Sequence, residues 1–240
     1  TMFVALEVLS LPLYLMCGLA RRRRLLSQEA ALKYFLLGAF SSAFFLFGVA
    51  MLYGFAGTMS LTGVAEAIAA RPDDTTLALI GTGLVAVGLL FKVGAVPFHS
   101  WVPDVYQGAP TPITGFMAAA TKVAAFGAML RVFYVAVPAL NHGWRPVLWV
   151  VAILTMVVGT VTAVTQTDVK RMLAYSAVAH AGFILTGVIA GNEAGLSATL
   201  FYLFAYAFST LGAFAVVSVV RDANGAEENS MGRWAGLGRR

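Results

Sequence analysis

Three charged residues stand within long apolar stretches of this sequence, namely Glu7, Lys92 and Lys122. A charge at the centre of a bilayer costs roughly 2.5–3.5 kcal/mol, so ionisable residues there are rare and usually functional. A low-dielectric interior disfavours the charged forms of lysine and glutamate alike, which allows both to exchange protons near neutral pH. These residue types therefore predict a proton relay, provided that the fold brings the side chains together. The alternative is that each lies near a helix end and extends its charge into water.

Charge coupling would let such residues act one after another. Two lysine ammonium groups about 8 Å apart repel each other by about 2 kcal/mol at an effective dielectric constant of 20. Protonation of Lys92 would therefore favour proton loss from Lys122. A carboxylate close to Lys92, such as that of Glu7, would act oppositely and hold the lysine charged until the pair is separated.

A cluster of prolines follows Lys92 and predicts that its helix is interrupted. Residues 97–112 contain four of the eight prolines. Pro97 would leave the carbonyl of Val93 without its helical hydrogen bond, and non-helical backbone at membrane depth is tolerated where protein covers it or where it lines a wet cavity. Discontinuous helices of this kind are typical of transporters. Pro12 repeats the pattern in the first apolar stretch, although a proline kink that only shapes helix packing is also common.

Three further ionisable residues are weaker candidates for the relay. His180 lies inside an apolar stretch, where an imidazole can pass protons at physiological pH, and interhelical hydrogen bonding is its alternative role. His99 and Asp104 follow the predicted break, toward the end of the helix that we predict to be cytoplasmic. They could feed protons inward or hydrogen-bond the loop, and the sequence favours neither role.

The composition identifies lipid as the solvent of the apolar stretches. Of the 240 residues, 60% are hydrophobic and 11% are charged, against roughly 25% charged residues in ordinary soluble domains. This excludes a soluble globule. The single cysteine, Cys17, excludes an internal disulfide framework, a zinc cluster and an iron–sulfur site in this chain. Much of the net charge of +5 comes from Arg21, Arg22, Arg23 and Arg24, whose position between apolar stretches indicates a loop at the membrane surface and no nucleic-acid site.

Seven stretches are long enough to cross a bilayer, which takes about 20 mostly apolar residues. We predict spans at about 2–20, 33–54, 77–97, 112–137, 147–166, 172–190 and 196–220, with a broken continuation of the third span at 99–108. Residues 1–220 thus form a transmembrane helical domain, and residues 221–240 are predicted to be a cytoplasmic linker toward a further helix. The expected fold class is an all-α polytopic membrane protein with about seven transmembrane helices, one of them discontinuous.

The basic residues predict how these helices are oriented. If seven spans alternate, eleven of the sixteen Lys and Arg residues lie on one side, two lie on the other and three lie within spans. Positive charge accumulates on the cytoplasmic side, so the first span enters from outside and the seventh ends in the cytoplasm. The longest connection, 55–76, then lies outside and is predicted to contain a short surface helix.

Two sequence blocks resemble a known family. Residues 97–112 read Pro-Phe-His-Ser-Trp-Val-Pro-Asp-Val-Tyr-Gln-Gly-Ala-Pro-Thr-Pro, and residues 166–180 read Gln-Thr-Asp-Val-Lys-Arg-Met-Leu-Ala-Tyr-Ser-Ala-Val-Ala-His. Both blocks are similar to the antiporter-like subunits of respiratory complex I, whose relatives include cation/proton antiporter subunits. The likeness extends along essentially the whole chain.

The resemblance implies which part of the family's fold this chain forms. It matches the fifth to eleventh of fourteen helices, in a fold of two inverted five-helix repeats that each include a discontinuous helix. By this likeness, Glu7 matches the glutamate of the family's fifth helix, Lys92 the lysine of its broken seventh helix, and Lys122 the lysine of its eighth helix. The family's twelfth helix carries a further lysine associated with proton exit, and this chain has no match to it.

The resemblance also implies a function, that of a proton-translocating membrane subunit of NADH:quinone oxidoreductase in the bacterial cell membrane. No cofactor is expected on this chain, because NADH, FMN, iron–sulfur clusters and quinone belong to partner subunits in the family. The expected partners are the other membrane subunits and the lipid bilayer, with no nucleic acid. A subunit of a multisubunit cation/proton antiporter or of a membrane-bound hydrogenase is the alternative of the same fold. A seven-span receptor and a membrane scaffold are alternatives from other classes.

Overall fold

The computed structural model describes residues 1–20 and 24–237, and the side chain of Arg24 lies outside this description. Helices dominate the described residues, in which the β-structure is limited to two isolated bridges. The predicted all-α class is therefore confirmed. The predicted orientation depends in part on residues outside the described ones, namely Arg21, Arg22, Arg23, Arg239 and Arg240.

The described part of the chain contains eleven α-helices. They are α1 (Met2–Cys17), α2 (Arg24–Ala56), α3 (Leu61–Ala70), α4 (Thr76–Val93), α5 (Trp101–Gly108), α6 (Thr111–Phe116), α7 (Lys122–Arg131), α8 (Asn141–Val164), α9 (Val169–Ala190), α10 (Glu193–Val219) and α11 (Met231–Trp234). Two π-helical turns, Met117–Thr121 and Val132–Ala136, extend α6 and α7 into one membrane-length helix. The helix α3 lies in the connection 55–76, where a short helix is predicted.

Six helical stretches within the described residues are long and apolar enough to cross a bilayer. They are Leu25–Ala56, Thr76–Val93, Thr111–Ala136, Pro138–Val164, Val169–Ala190 and Glu193–Val219. The first predicted span, 2–20, corresponds to α1, which is apolar but has 16 residues. A helix of that length covers about 24 Å of a hydrocarbon core that is roughly 30 Å thick. The chain is a multi-pass membrane protein.

The outer surfaces of α2, α8 and α10 are apolar. Phe40, Val161 and Phe201 are each more than half exposed, which suits contact with lipid tails and not with water. Inside the bundle, α8 and α9 approach closely where Gly159 faces the backbone of Ala179, because a Cβ at Gly159 would lie 2.5 Å from the nitrogen of Ala179. Small residues permit such close helix contacts in membranes.

The helix that carries Lys92 is interrupted, as predicted, but it ends earlier and for a different reason. Gly94 adopts a left-handed conformation with φ of 75°, and the N–H groups of Gly94 and Ala95 bond to carbonyls in the last turn of α4. This pair of hydrogen bonds is a Schellman cap, which favours glycine because a Cβ would be strained at that φ. Pro97 therefore lies in the connection after the helix and does not itself break it.

Lys122 follows an irregularity that sequence reasoning did not predict. The π-helical turn Met117–Thr121 directly precedes it, and α7 begins at Lys122 itself. A π turn replaces i→i+4 hydrogen bonds by i→i+5 bonds, so it changes the direction in which later side chains point, and such turns are frequent at functional sites. The π turn therefore helps to set the direction of the Lys122 side chain.

The chain after α10 turns back toward the start of α9. Isolated antiparallel bridges join Arg221 to Glu227 and Asp168 to Ser230. The described part of the segment 221–240, for which we predict a linker, therefore contacts the membrane-spanning helices at one end of the bundle.

Basic residues from distant parts of the chain meet at this same end. Lys33 on α2 and Arg171 on α9 both contact Asp104 on α5, and Lys170 contacts Glu227. The predicted orientation places these basic residues together on the cytoplasmic side. Their shared location supports that grouping, and the side of the membrane that this end faces stays a prediction.

Candidate functional site

Lys92 and Glu7 meet inside the helical bundle. The Nζ atom of Lys92 lies 3.4 Å from Oε1 of Glu7, and the side chains are 8% and 20% exposed. The two residues are 85 positions apart in the sequence, so tertiary packing creates the pair, with α2 in contact with both α1 and α4. The structure thus brings two of the three main relay candidates into direct contact.

Two serines complete the polar surroundings of this ion pair. Ser10, about one turn after Glu7 on α1, accepts a 2.7 Å hydrogen bond from Lys92, and Ser42 on α2 donates a 2.5 Å hydrogen bond to Glu7. Ser10 in turn donates to the carbonyl of Leu6. Hydrogen bonds to charged groups contribute about 1.5–3 kcal/mol each. The serines therefore stabilise the charged forms of both Lys92 and Glu7.

Side chains from neighbouring elements satisfy the backbone at the helix break. Thr155 of α8 accepts a 3.0 Å hydrogen bond from the N–H of Val96, and the indole N–H of Trp101 donates a 3.0 Å bond to the carbonyl of Phe91. Unpaired backbone groups are costly away from water. These contacts therefore hold the non-helical segment in place next to Lys92.

Lys122 lies in different surroundings. The residue is 2% exposed, its Nζ atom donates a hydrogen bond to the carbonyl of Ala177 on α9, and this atom lies 5.1 Å from the ring centroid of Tyr206 on α10. A carbonyl dipole and the face of an aromatic ring both attract a cation. Within the described residues, no carboxylate forms an ion pair with this lysine, so a backbone carbonyl and an aromatic ring are the groups that contact its charge.

His180 contacts the same aromatic side chain as Lys122. The Nδ1 atom of His180 shares a 2.7 Å hydrogen bond with the hydroxyl of Tyr202, and its ring centroid lies 5.2 Å from that of Tyr206. The imidazole of His180 and the ammonium of Lys122 therefore meet at Tyr206, and a tyrosine hydroxyl provides a further polar group beside them.

The two candidates after the helix break, His99 and Asp104, have different surroundings. Asp104 on α5 lies 2.6 Å from Nζ of Lys33 and 2.7 Å from Nη1 of Arg171. Burial opposes ionisation of Asp104, but hydrogen bonds from Lys33 and Arg171 outweigh burial and lower the pKa of the carboxyl below its ordinary value. Burial lowers the pKa of the His99 imidazole, whose ring centroid lies 6.5 Å from that of Tyr175. Asp104 thus joins three helices, whereas His99 forms no ion pair within the described part of the chain.

The sequence-predicted candidates fall into separate groups. Glu7 and Lys92 form one group, Lys122 and His180 form a second, and within the described residues no hydrogen bond or ion pair links Lys92 directly to Lys122. Among the described residues, no set of three or more His, Cys, Asp or Glu side chains is arranged to hold a metal ion.

Sequence reasoning missed several partners of the relay candidates. The position of Ser10, three residues after Glu7, could have indicated it, because residues at this spacing share a helix face. Ser42 on α2 and the carbonyl of Ala177 on α9 carry no comparable signal, since only the packing of separate helices brings them to the site.

Comparisons with known proteins agree with the helical membrane fold. A family model described as NADH:quinone oxidoreductase/Mrp antiporter, TM, matches residues 1–238. The NADH-quinone oxidoreductase subunit N of Rhodococcus opacus is 79% identical over 240 residues, which cover 100% of this chain and 44% of the relative. The chain therefore spans less than half the length of that relative.

Solved structures show the same fold. A chain of respiratory complex I from Thermus thermophilus matches with a TM-score of 0.80 and 43% identity, covering 99% of this chain and 49% of the other. A chain of the Mrp complex from a Dietzia species matches with a TM-score of 0.82 and 28% identity, covering 90% and 40% respectively. These matches confirm the resemblance seen in the blocks 97–112 and 166–180. The chain belongs to the NADH:quinone oxidoreductase/Mrp antiporter family of membrane proteins.

Proposed function

We propose that this chain forms part of a proton-translocating membrane subunit of NADH:quinone oxidoreductase. The 79% identity with subunit N of Rhodococcus opacus along the whole chain supports this function, and so does the likeness to a chain of Thermus thermophilus complex I. The chain spans less than half of either protein, so the activity is that of the full-length subunit in its complex. The observation that carries the mechanism is the buried Glu7–Lys92 ion pair beside the interrupted helix.

In this mechanism, separation of the ion pair drives the relay. At the 3.4 Å observed between Lys92 and Glu7, the attraction is about 5 kcal/mol at an effective dielectric constant of 20, and at about 8 Å it falls to about 2 kcal/mol. The difference of about 3 kcal/mol corresponds to roughly a hundredfold change in the equilibrium between charged and neutral lysine. A modest movement of α1 relative to α4 would therefore be enough for Lys92 to release its proton into the relay.

Lys122 is the next proton carrier in this mechanism. The carbonyl of Ala177 and the ring of Tyr206 attract the ammonium. Both groups are uncharged, so loss of the proton from Lys122 leaves no buried ion without a partner. Lys122 can therefore change its charge without a rearrangement of ionic partners. His180, on the same tyrosine ring and hydrogen-bonded to Tyr202, extends the relay beyond Lys122.

His99 and Asp104 have different roles in this mechanism. Asp104 is ionised at neutral pH, and the hydrogen bonds from Lys33 and Arg171 lower its pKa further, so it anchors α5 between α2 and α9 more readily than it carries protons. His99 lies beside the helix break with an imidazole that is mostly neutral at pH 7. It is the better proton carrier of the two.

The redox chemistry belongs to partner subunits in this proposal. The single cysteine of the chain, Cys17, cannot by itself hold an iron–sulfur cluster, which needs several thiolates. NADH, FMN, iron–sulfur clusters and quinone would accordingly be bound by the partners. Their energy would reach this chain as a displacement or a charge change at the Glu7–Lys92 pair.

A subunit of a multisubunit cation/proton antiporter is the second candidate function. The fold shared with a chain of the Mrp complex from Dietzia supports it, although the identity is 28% against 79% with subunit N. Transport by the full-length subunit that depends on sodium and persists without NADH and quinone would favour this second function.

The test uses the full-length subunit in its assembled complex, reconstituted into vesicles. Lys92→Ala and Lys122→Ala should each reduce NADH-driven proton pumping by at least about tenfold, because a positioned acid–base group commonly contributes about a hundredfold or more. Arg145→Ala is the matched control, since it removes an exposed basic residue that bonds to the carbonyl of Ala190 at a loop. Wild-type pumping by both lysine variants would contradict the proposal.

A further inference from the structure

The segment that follows α10 is attached to the start of α9 by backbone hydrogen bonds. The N–H of Val169 donates a 2.8 Å bond to the carbonyl of Asn229, and the N–H of Met231 donates a 3.0 Å bond to the carbonyl of Thr167. Asn229 is 3% exposed. Residues 227–231 therefore have a defined position against the bundle, and we refer to them as the return segment.

One side chain of the return segment reaches two membrane-spanning helices at once. Oε2 of Glu227 accepts a 2.7 Å hydrogen bond from the hydroxyl of Thr111 at the start of α6, and it lies 3.9 Å from Nζ of Lys170 in the first turn of α9. Lys170 in turn donates a 2.6 Å bond to the carbonyl of Ala109, just before α6. Glu227, Lys170, Thr111 and Ala109 together form what we call the terminal clamp.

The terminal clamp lies at a position where a cation needs a partner. Lys170 is 1% exposed and occupies the first turn of α9, where the helix dipole disfavours a positive charge. A buried charge is tolerated when it is paired and hydrogen-bonded. The carboxylate of Glu227 therefore stabilises the buried charge of Lys170. The position of Lys170 in the sequence would instead suggest an exposed charge in a loop.

The two clamped helices provide the donor and the acceptor of the Lys122–Ala177 hydrogen bond. Lys122 follows Thr111 by eleven residues, or about 16 Å of helix, and Ala177 follows Lys170 by seven residues, or about 10 Å. The side chain of Lys122 points back toward the start of its helix and covers much of the difference. The terminal clamp thus sets the relative position of the donor and the acceptor in the Lys122–Ala177 hydrogen bond.

The π-helical turn makes the Lys122 site sensitive to the position of the start of α6 relative to α9. Met117–Thr121 lies between the terminal clamp and Lys122. A π turn contains one more residue than the regular helix around it, and a shift of one residue rotates the later side chains of the helix by about 100°. A small displacement of Thr111 could therefore move the Lys122 ammonium away from the Ala177 carbonyl.

We propose that Glu227 is a positioning residue for Lys122, which it controls by clamping the first turns of α6 and α9 to each other through Thr111 and Lys170. This inference rests on the proposed proton relay. Because the return segment continues from α10, it would also allow a movement at the end of α10 to change the geometry at Lys122.

The experiment compares Glu227→Gln with Glu228→Gln in the full-length subunit of the assembled complex, with turnover expressed per assembled complex. Oε2 of Glu228 lies 3.2 Å from Nη1 of Arg233 in α11, and Oε1 accepts a 3.0 Å hydrogen bond from the N–H of Ser230. Glutamine keeps an acceptor oxygen for Ser230, so Glu228→Gln removes the same charge without touching α6 or α9. We expect Glu227→Gln to lower NADH-driven proton pumping by about tenfold, because a small misplacement of a reacting group can cost up to a hundredfold. Glu228→Gln should retain wild-type pumping. Thr111→Val, which removes only the contact with α6, should lower pumping less than Glu227→Gln and serves if Glu227→Gln fails to assemble.

A double-substitution cycle separates positioning from general damage. In the Lys122→Ala background, Glu227→Gln should cause no further loss, because the residue that it positions is already absent. Wild-type pumping by both Glu227→Gln and Thr111→Val would overturn the inference. It would also be overturned if Glu227→Gln lowered proton pumping by the same factor in the wild-type and in the Lys122→Ala background. If Lys122→Ala itself pumps like the wild type, the proposed relay fails, and this outcome is distinct from the failure of the clamp alone.

Discussion

Lys92 and Lys122 are buried lysines of one bundle and both lie near an aromatic ring, but of the two only Lys92 is paired with a carboxylate among the described residues. The carboxylate of Glu7 and the hydroxyl of Ser10 contact the ammonium of Lys92, which lies 6.0 Å from the ring centroid of Tyr14. A backbone carbonyl and the ring of Tyr206 contact the ammonium of Lys122. An ion pair stabilises one charge state and must be separated before a proton moves. Neutral dipoles tolerate both states. In the proposed relay, the Glu7–Lys92 pair is therefore the switched part and Lys122 is the carrier.

The largest expected difference between the two regions concerns stability. Lys92→Met would leave the carboxylate of Glu7 buried without its cation, and removal of one partner from a buried ion pair costs about 3–5 kcal/mol. Lys122→Met would leave no ionic partner behind and should be neutral or stabilising. We expect the unfolding temperature of the full-length subunit in detergent to fall by about 3–4 °C for Lys92→Met. Equal shifts in the two variants would remove the distinction between the regions.

A double-mutant cycle should show that Glu7 is coupled to one lysine and not to the other. Glu7→Gln combined with Lys92→Met should give an interaction free energy of about 1–3 kcal/mol, as expected for directly contacting residues. The same substitution combined with Lys122→Met should give about 0.5 kcal/mol or less, because the two residues share no partner. Thermal unfolding of the single and double variants measures both values. Strong coupling between Glu7 and Lys122 would mean that the two groups act as one cluster.

Smaller effects should distinguish the uncharged partners of the two lysines. Ser10→Ala should cost about 1.5 kcal/mol of unfolding free energy, because a hydrogen bond to a charged group is lost. Tyr206→Phe should cost less than about 0.5 kcal/mol, since Lys122 lies over the ring, which phenylalanine retains. Tyr206→Leu, which removes the ring, is the matched comparison. If Tyr206→Phe were as costly as Ser10→Ala, the hydroxyl and not the ring would hold Lys122.

A pH-dependent effect of limited size concerns Asp104, which provides a comparison outside the membrane-spanning helices. Its pKa is lowered from 3.8 by Lys33 and Arg171, so the stability from these contacts is fully present above about pH 4. That stability is lost as the pH falls through the lowered pKa. Partial exposure limits it to about 1 kcal/mol. Asp104→Asn should therefore be less stable than the wild type near neutral pH and equal to it in acid. A difference that persists unchanged in acid would contradict this account.

The candidate residues could be recognised from the sequence, but their partners could not. Lys92 and Lys122 are conspicuous because charges are rare in apolar stretches, and this signal needs no tertiary information. The contact between Glu7 and Lys92 crosses 85 positions of the chain. For Lys170, the sequence position gives the wrong expectation about burial. Its place in a short polar connection predicts an exposed charge, and yet it is almost fully buried because the return segment and the start of α6 cover it.

The helix break shows where local sequence information was sufficient and where its interpretation was wrong. Proline clustering correctly indicated a discontinuous helix, but the left-handed Gly94 ends α4 before Pro97 is reached. Glycine at the end of a helix is a local signal that could have been used. The π turn before Lys122 has no such signal, because a run of small and apolar residues suits an α-helix equally well.

By itself, the sequence determined that the chain enters a membrane, that it is helical, and to which family it belongs, because hydropathy, residue spacing and motifs are local properties. The tertiary structure alone decided that Lys92 is paired with a carboxylate, that Lys122 is held by a carbonyl and a ring, and that Glu227 reaches two helices. These outcomes depend on contacts between helices that are far apart in the chain. The free energy of a buried charge is determined by the groups around it, and only the packed bundle specifies those groups.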